Sequence, residues 1–494
     1  METVNAGKTN REKIVGFARK IKDLGEKFCS SNYFIFSVAL VAFVFHAIAI
    51  DFWGIALFAL GAAVFFLIFK DYRPGLTLVL SAIFIVSTKN SPGYGSGDNY
   101  YMRKDILYPL IAVVCALVAV MVYRCVKNRE NYKDGKSYIP LLIVAVVLTL
   151  SGIGRKYYSQ GVSFGLLMGL SYVGLYLLFM GIVERGKGLL EYVATLLSAL
   201  CLLIAVQVAF LYLMHLVKGG TFDSYWKGQI IVGWGVSNII GEMIVFFMPF
   251  VMYKAEHSQK HSAFYNLIGL FAMTMLIFTL NRAGMLFGFP VYAVLFIRLL
   301  IKSKKRGTLF LTSLIYFSVG VIFLSALSSL TEFSEVFVYF KSMFDEDEGV
   351  SLSARDLLWK QAIGFFKDSP IVGEGFARSF NEQIYSVPRE TMFHTLSHNF
   401  IFQALGSGGI MGILTMLGFV VHLAIRFFKK YEGKFHFICY AFLFGCISLL
   451  DTTYFITYSV MFLMLILVTQ EKITPNEQRG LFKAKRKKSA GKKL

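Results

Sequence analysis

The sequence predicts an all-α protein that crosses a membrane many times, as a polytopic transmembrane helical bundle of about 14 spans. Two observations lead to this prediction. Of the 494 residues, 56% are hydrophobic and 16% are charged, whereas about a quarter of the residues in a soluble protein are charged. The apolar residues also recur in continuous runs from Tyr33 to Gln470, and continuous runs favour helices over strands. A bilayer is the solvent that this much apolar surface requires.

The apolar runs define the helices in chain order. Each predicted span is a run that polar residues, glycine or proline interrupt at both ends, with a length near the ~20 residues that a straight span needs. The spans are residues 33–50, 52–69, 75–88, 106–126, 138–153, 162–183, 189–217, 228–253, 263–281, 283–300, 308–329, 397–425, 436–451 and 454–470.

Charge fixes the predicted orientation of these helices. The formal net charge is +20, and roughly 36 of the 50 Lys and Arg residues fall in segments on one side if the N-terminus is cytoplasmic. Lys and Arg accumulate on the cytoplasmic side of membrane proteins. We therefore interpret the charge as topological, with the basic C-terminal tail near anionic lipid, and we expect no nucleic-acid partner.

Five segments follow from this orientation. A cytoplasmic basic tail (residues 1–32) precedes transmembrane helices 1–11 (33–330). A long extracytoplasmic loop (331–397) comes next, then helices 12–14 (398–470) and a second cytoplasmic basic tail (471–494). Long loops in compact proteins are usually functional, so we expect the loop to be catalytic. The six cysteines lie outside it and lack metal-binding spacing.

One helix is predicted inside the loop. Ser353 is a suitable N-cap for a helix that runs to about Lys367. Arg355, Leu358, Trp359, Ala362 and Phe366 share one face of this helix, which we expect to lie against the membrane domain or the interface. Arg355 then borders an apolar face, where it either extends its charge toward water or points at an anionic ligand. After the helix, Gly373 and Gly375 allow a tight turn and a close approach of backbone.

The end of the loop places a histidine at the surface of the membrane. Ser397 is expected to cap the next helix, so that His398 and Asn399 occupy its first turn. The positive end of the helix dipole disfavours protonation of His398, and a neutral histidine can act as a general base. The alternative is an interfacial histidine without a catalytic role. Zinc binding by His394 and His398 is disfavoured because the Glu of the HExxH pattern is missing.

Further polar residues interrupt the spans on the same side. Asn281 and Arg282 divide a long apolar run into two helices, which puts Arg282 at the outer surface. A charge near the membrane is a functional hypothesis by default, with a simple turn charge as the alternative. Asn238 and Glu242 are four residues apart on the preceding helix, where they line a polar cavity or pair internally. Two arginines suit the binding of a diphosphate. A neutral histidine suits the removal of a proton from a hydroxyl.

These motifs, taken together in this order, resemble the O-antigen ligase and O-antigen polymerase superfamily. The resemblance covers about Gly235 to Gly412. It rests on G-V-S-N at 235–238, N-R-A-G at 281–284, R-D-L-L-W at 355–359, S-P-I-V-G-E-G-F at 369–376, H-N-F-I-F-Q at 398–403 and G-G-I-M-G at 408–412. The common Ser-Arg pair of the family is Asn281-Arg282 here.

The resemblance implies a GT-C-like glycosyltransferase fold and an activity without metal or cofactor. The activity is transfer of a glycan from undecaprenyl diphosphate to an acceptor hydroxyl. In this interpretation Arg282 and Arg355 hold the diphosphate and His398 deprotonates the acceptor. Residues expected to bind substrate are Asn399, Trp359, Gly373, Gly375 and Asn238.

Three functions stay open. The number of spans favours a polymerase of a surface polysaccharide in a bacterial cytoplasmic membrane, such as O-antigen, capsule or exopolysaccharide. A ligase to a lipid or protein acceptor shares the same residues. A lipid-linked oligosaccharide flippase is the alternative from another class, although the chain lacks the two similar halves typical of transporters. The expected partners are the lipid-linked oligosaccharide, membrane lipid, a chain-length regulator and a flippase.

Overall fold

A computed structural model describes residues 25–87, 100–186, 188–220, 226–258, 260–328, 350–376, 397–429, 431 and 433–473. Of the residues that the structure describes, 82% are helical. Two two-residue strands, β1 (Ile231–Val232) and β2 (Gly235–Val236), form an antiparallel hairpin in which Ile231 is opposite Val236. The prediction of a helical membrane protein is confirmed.

The helices follow one another through short connections. They are α1 (Asn32–Ala47), α2 (Asp51–Ile68), α3 (Arg73–Ala82), α4 (Lys104–Lys127), α5 (Tyr138–Leu150), α6 (Tyr158–Ile182), α7 (Leu189–Val217), α8 (Trp226–Gln229), α9 (Ser237–His257), α10 (Ser262–Phe278), α11 (Arg282–Lys302), α12 (Arg306–Ser328), α13 (Val350–Asp368), α14 (Phe400–Phe427), α15 (Lys434–Ser448) and α16 (Thr457–Lys472).

Length and composition qualify seven of the described helices to cross a membrane, namely α2, α4, α6, α7, α9, α11 and α14. Six shorter apolar helices accompany them, at Asn32–Ala47, Arg73–Ile85, Tyr138–Leu150, Ser262–Phe278, Arg306–Ile322 and Lys434–Ser448. The protein is therefore a multi-pass membrane protein, and the count of about 14 spans remains a prediction.

Burial separates central helices from peripheral ones. In the most apolar stretch of each helix, 89% of the residues are buried in α9 and 67% in α7, but only 11% in α4. The exposed residues of the peripheral helices are large and apolar, as with Leu142 and Val321. Since lipid takes the place of water around such side chains, α4 belongs to the lipid-facing surface and α9 to the centre of the bundle.

An aromatic layer fills the centre between α9, α15 and α16. Each of its side chains is less than 2% exposed, and the rings meet in edge-to-face, tilted and stacked pairs at centroid distances of 4.7 Å to 5.9 Å. Such pairs add to the stabilisation that burial gives. The layer consists of Phe246, Phe247, Phe250, Tyr440, Phe444 and Phe462.

The structure corrects one predicted helix start. The span predicted at residues 228–253 begins at Ser237, because the hairpin occupies residues 231–236. Gly233 has φ of +60°, donates its N–H to the Val86 carbonyl, and would place a Cβ 2.6 Å from the Ile83 carbonyl oxygen. Only glycine fits such an approach, so the hairpin is fixed against the segment after α3.

The predicted loop is described in part. Its helix α13 starts at Val350, so Ser353 lies within the helix and is not its N-cap. The predicted apolar face is buried at Leu358 and Ala362, and Ala362 packs on Gly406 of α14. The predicted tails (1–32 and 471–494) lie mostly outside the described residues, and His394 lies outside them as well.

Candidate active site

The candidate site lies at the end of the bundle where α9, α11 and α14 begin, called here the site end. A strained turn places Arg282 there. Leu280 has φ of +57°, which is unusual outside glycine. Asn281 then caps α11 by accepting the Gly284 N–H at 2.9 Å, so Arg282 is the first helical residue and its side chain is exposed.

Asn281 also ties α11 to α9. Its side-chain amide donates to the Asn238 carbonyl at the start of α9. A Cβ at Gly241 would lie 2.6 Å from the Asn281 Cβ, so a glycine is required for this approach. Asn238, predicted to bind substrate, is half-buried and contributes its backbone to this contact. The contact fixes the position of Arg282 relative to α9.

Asn399, and not Ser397, caps α14. The Asn399 side chain accepts the N–H groups of Ile401 (2.8 Å) and Phe402 (3.2 Å), and its amide donates to the Leu449 carbonyl. The prediction that Ser397 caps the helix is therefore wrong. His398 precedes the helix and does not lie in its first turn, so the helix dipole does not support a neutral His398.

A carboxylate orients the His398 ring. His398 has φ of +46°, and in this left-handed conformation its Nδ1 lies 3.2 Å from Asp451 Oδ1. The His398 side chain is 40% exposed and that of Asp451 is 9% exposed. When Nδ1 carries the proton and donates to Asp451, Nε2 is a free acceptor, as in the base of a catalytic triad.

Asp451 lies in the turn between α15 and α16 and is held in its charged form. Burial raises the pKa of the Asp451 carboxyl, but the hydrogen bond and charge of His398, the Thr452 N–H and the charge of Arg355 together bring it below its ordinary value. The Thr452 N–H donates to Asp451 Oδ1 at 2.7 Å. An ionised Asp451 stabilises a positive charge on His398.

Glu242 of α9 is a second buried carboxyl next to Asp451. It is 1% exposed, accepts from Thr453 Oγ1 at 3.2 Å, and interacts with Asp451. Of the two predicted roles, Glu242 takes that of an internal partner.

Trp359 supports the histidine from α13. Its Nε1 donates to the Ser397 carbonyl at 3.0 Å, and its ring stacks on Phe402 at 5.1 Å with an interplanar angle of 14°. Ser397 is further held by its N–H, which donates to the Gln403 side chain at 2.7 Å. These contacts fix Ser397, the residue before His398, so Trp359 helps to position His398. Substrate binding by Trp359 remains a prediction.

Gly373 and Gly375 anchor the loop in a break of α14. Gly409 of α14 has φ of +58° and ψ of −148°, which interrupts the helix. Gly373 (φ +68°) would place a Cβ 2.3 Å from the Ser407 carbonyl carbon, and Gly375 (φ +81°) donates its N–H to the Ser407 carbonyl at 2.9 Å. Both glycines are buried, so the predicted turn is present, and substrate binding by them remains a prediction.

Arg355, Arg282 and Lys227 form a group of cations at the site end. Arg355 is half-buried on α13, one turn before Trp359, and its charge acts on Asp451. Lys227 of α8 interacts electrostatically with Arg282, Arg355 and Asp451. Among the described residues, none forms a hydrogen bond or ion pair with any of the three side chains. Cations that lie together without an ion pair among the described residues indicate a site for an anion.

The structure thus brings Arg282, Arg355 and His398 together and adds two residues that sequence reasoning missed. Asp451 is the last residue of the predicted span 436–451. An acidic residue within a span is itself a signal of function. Lys227 lies in a polar connection and carries no such signal. Among the described residues, no group of three or more His, Cys, Asp or Glu is placed to hold a metal ion.

Comparison with known proteins finds a family model that matches the central segment. Residues 267–417 match the model of a protein family described as O-antigen ligase. This segment includes Arg282, Arg355, His398 and the break in α14, and the predicted resemblance to the O-antigen ligase and polymerase superfamily is confirmed. No curated protein matches the chain.

Proposed function

We propose that this protein is a glycosyltransferase that polymerises an undecaprenyl-diphosphate-linked glycan on the outer face of a bacterial cytoplasmic membrane. The family match supports an enzyme of surface polysaccharide synthesis that acts on lipid-linked oligosaccharides. The observation that carries the proposal is the group of cations next to the His398–Asp451 pair, which form no ion pair with any residue that the structure describes.

The cations suit the diphosphate of the donor. Arg282 and Arg355 present planar guanidinium groups, which bind phosphate oxygens with two parallel hydrogen bonds. Both lie at the site end of the bundle, where the proposed function requires the diphosphate of the lipid-linked donor to bind. The family match spans both residues. We therefore assign the diphosphate of the donor to Arg282 and Arg355.

The histidine suits the acceptor. The acceptor oxygen forms a bond to the anomeric carbon while the bond from that carbon to the phosphate oxygen breaks, with its electron pair passing to the phosphate. The hydroxyl proton passes to His398 Nε2. The resulting positive charge on His398 is stabilised by Asp451 through Nδ1. Undecaprenyl diphosphate and the lengthened glycan are the products.

The acceptor distinguishes a polymerase from a ligase. The growing glycan is the acceptor of a polymerase, whereas a ligase uses a lipid or a protein. The chemistry proposed for Arg282, Arg355 and His398 is the same in both. We propose the polymerase, with no metal or cofactor, cytoplasmic termini, and a chain-length regulator and a flippase as partners. The number of predicted spans supports this choice.

The test uses the full-length protein in detergent with an undecaprenyl-diphosphate oligosaccharide and a chelator. Gel electrophoresis is expected to show a ladder of lengthening glycan for the wild type and none for His398→Ala or Arg355→Ala. Lys360→Ala is the matched control, because Lys360 is exposed on the same helix as Arg355, and this variant should form the ladder.

Other outcomes separate the alternatives. One shifted product that requires a separate acceptor would indicate a ligase. A ladder that the chelator abolishes would contradict the metal-independent reaction. If the wild type forms no product but carries the labelled lipid across vesicle membranes, the transferase proposal is wrong and a flippase is supported.

A further inference from the structure

Lys227 is held at the site by a rigid segment. It lies on α8, whose Trp226 is 4% exposed and packs on Tyr212 at 5.1 Å and on His215 at 4.0 Å, both from α7. Strand β1 follows α8 directly, and the hairpin leads into α9. Lys227 is therefore held in the connection between α7 and α9, close to the start of α9.

The surroundings of Lys227 repel its charge. Arg282 and Arg355 are its cationic neighbours, and among the described residues Asp451 is the acidic group that acts on it. Asp451 is already engaged by His398 and by the Thr452 N–H. A half-buried ammonium with two cations beside it is unfavourable unless an anion binds among them.

The charge of the substrate changes during the proposed reaction. The donor diphosphate is esterified at both ends and carries about two negative charges near neutral pH, one on each phosphate. When the bond to the anomeric carbon breaks, the leaving diphosphate gains a third negative charge. Two arginines match the charge of the donor, whereas a third cation matches the charge that develops in the transition state. Only the latter interaction accelerates the chemical step.

We propose that Lys227 binds the negative charge that develops on the leaving diphosphate, while Arg282 and Arg355 bind the donor in its ground state. This inference rests on the proposed function. Lys227 contacts the leaving group in this assignment, so it is a catalytic residue and not a general anchor for the donor. A Lys suits this role because its ammonium is a compact point charge on a flexible stem, whereas Arg gives a planar fork.

The electrostatics around Lys227 support this assignment. Burial, followed by the charges of Arg282 and Arg355, lowers the pKa of Lys227 to about 8, although Asp451 opposes this effect. The ammonium is therefore present at neutral pH and is lost as the pH rises through about 8. A bound diphosphate adds negative charge beside Lys227 and favours its protonated form.

A binding experiment separates the two roles without requiring turnover. The probes are farnesyl diphosphate, which resembles the leaving group, and a farnesyl-diphosphate-linked sugar, which resembles the donor. Lys227→Met is expected to weaken binding of the first probe roughly 10- to 100-fold, since a hydrogen bond to a charged group is lost. Binding of the second probe should change by less than about threefold.

Kinetics give a second, independent readout. Lys227→Met should lower kcat and leave the KM for the donor nearly unchanged, because the lost interaction belongs to the transition state. Lys227→Arg should restore most of kcat and remove the decline in activity above about pH 8, since Arg stays protonated. Lys218→Met is the matched control, because Lys218 is an exposed lysine at the same end of α7, and it should behave as the wild type.

Each other outcome overturns a specific claim. Equal weakening of both probes in Lys227→Met would make Lys227 a ground-state ligand and refute the inference, and so would unchanged binding of both. A wild type that binds neither probe would refute the proposed function together with the role of Lys227. Thermal unfolding in detergent checks that Lys227→Met is folded, and Lys227→Arg provides the test if it is not.

Discussion

Replacement of His398 by asparagine separates the proposed role of His398 as a base from its structural role. Residue 398 has φ of +46°, and Asn tolerates this left-handed backbone better than most residues. The Asn amide can also donate to Asp451, whose Oδ1 lies 3.2 Å from the His398 ring. His398→Ala, in contrast, leaves the buried Asp451 without this partner, which costs about 1–3 kcal/mol of stability. We therefore expect Asn to preserve the fold and Ala to destabilise it.

Both variants should lose the same activity. A positioned general base contributes about 10²- to 10⁴-fold in rate, and neither Asn nor Ala can accept a proton. The assay is the initial rate of glycan elongation, measured beside thermal unfolding in detergent. Equal loss of activity with unequal loss of stability is the expected result. An Asn variant within about tenfold of the wild-type rate would refute the assignment of His398 as the base.

Three further predictions concern the support of the site. Gly241→Ala should lower stability by about 1–3 kcal/mol and displace Arg282, because the new Cβ would meet Asn281 at 2.6 Å; thermal unfolding and donor binding measure this. Gly409→Ala should also destabilise the fold, since its φ of +58° and ψ of −148° suit glycine alone, whereas Gly418→Ala, in open space on the same helix, serves as the control for both. The pKa of Asp451 lies below the ordinary value of about 4, so its stabilising contribution is present above that value and is lost as the pH falls through the lower folded value; Asp451→Asn should flatten the acid limb of a stability profile.

Hydrophobicity made the architecture predictable, because a bilayer imposes helices on any long apolar run. The positions of the two arginines were predictable from the same physical property of the bilayer. Arg282 had to lie at a turn between two helices, and Arg355 could not be buried against lipid without a partner. Both predictions needed only the high free energy of a charge in an apolar medium, and the structure places both residues with His398 at one end.

Details of backbone conformation were not predictable in this way. Ser397 and Asn399 are about equally good helix caps, and only the contact of Asn399 with the Leu449 carbonyl, fifty residues away, decides between them. The hairpin at residues 231–236 has two-residue strands within an apolar run, so periodicity could not separate it from a helix. Asp451 and Lys227 reach the site through tertiary packing that a local pattern does not contain.

The aromatic layer in the centre of the bundle determines which solution the site can exchange protons with. Along α9, Glu242 belongs to the site and Glu256 pairs with Arg298 at the other end. Fourteen residues separate the two carboxyls, which is about 21 Å of helix, and the side chains at 243–252 are all apolar. A proton released by an acceptor therefore returns to the compartment that supplied the acceptor. On the proposed function, turnover is insensitive to the membrane potential and to the pH of the far compartment, and cleavage of the bond between the anomeric carbon and the diphosphate supplies the free energy of elongation.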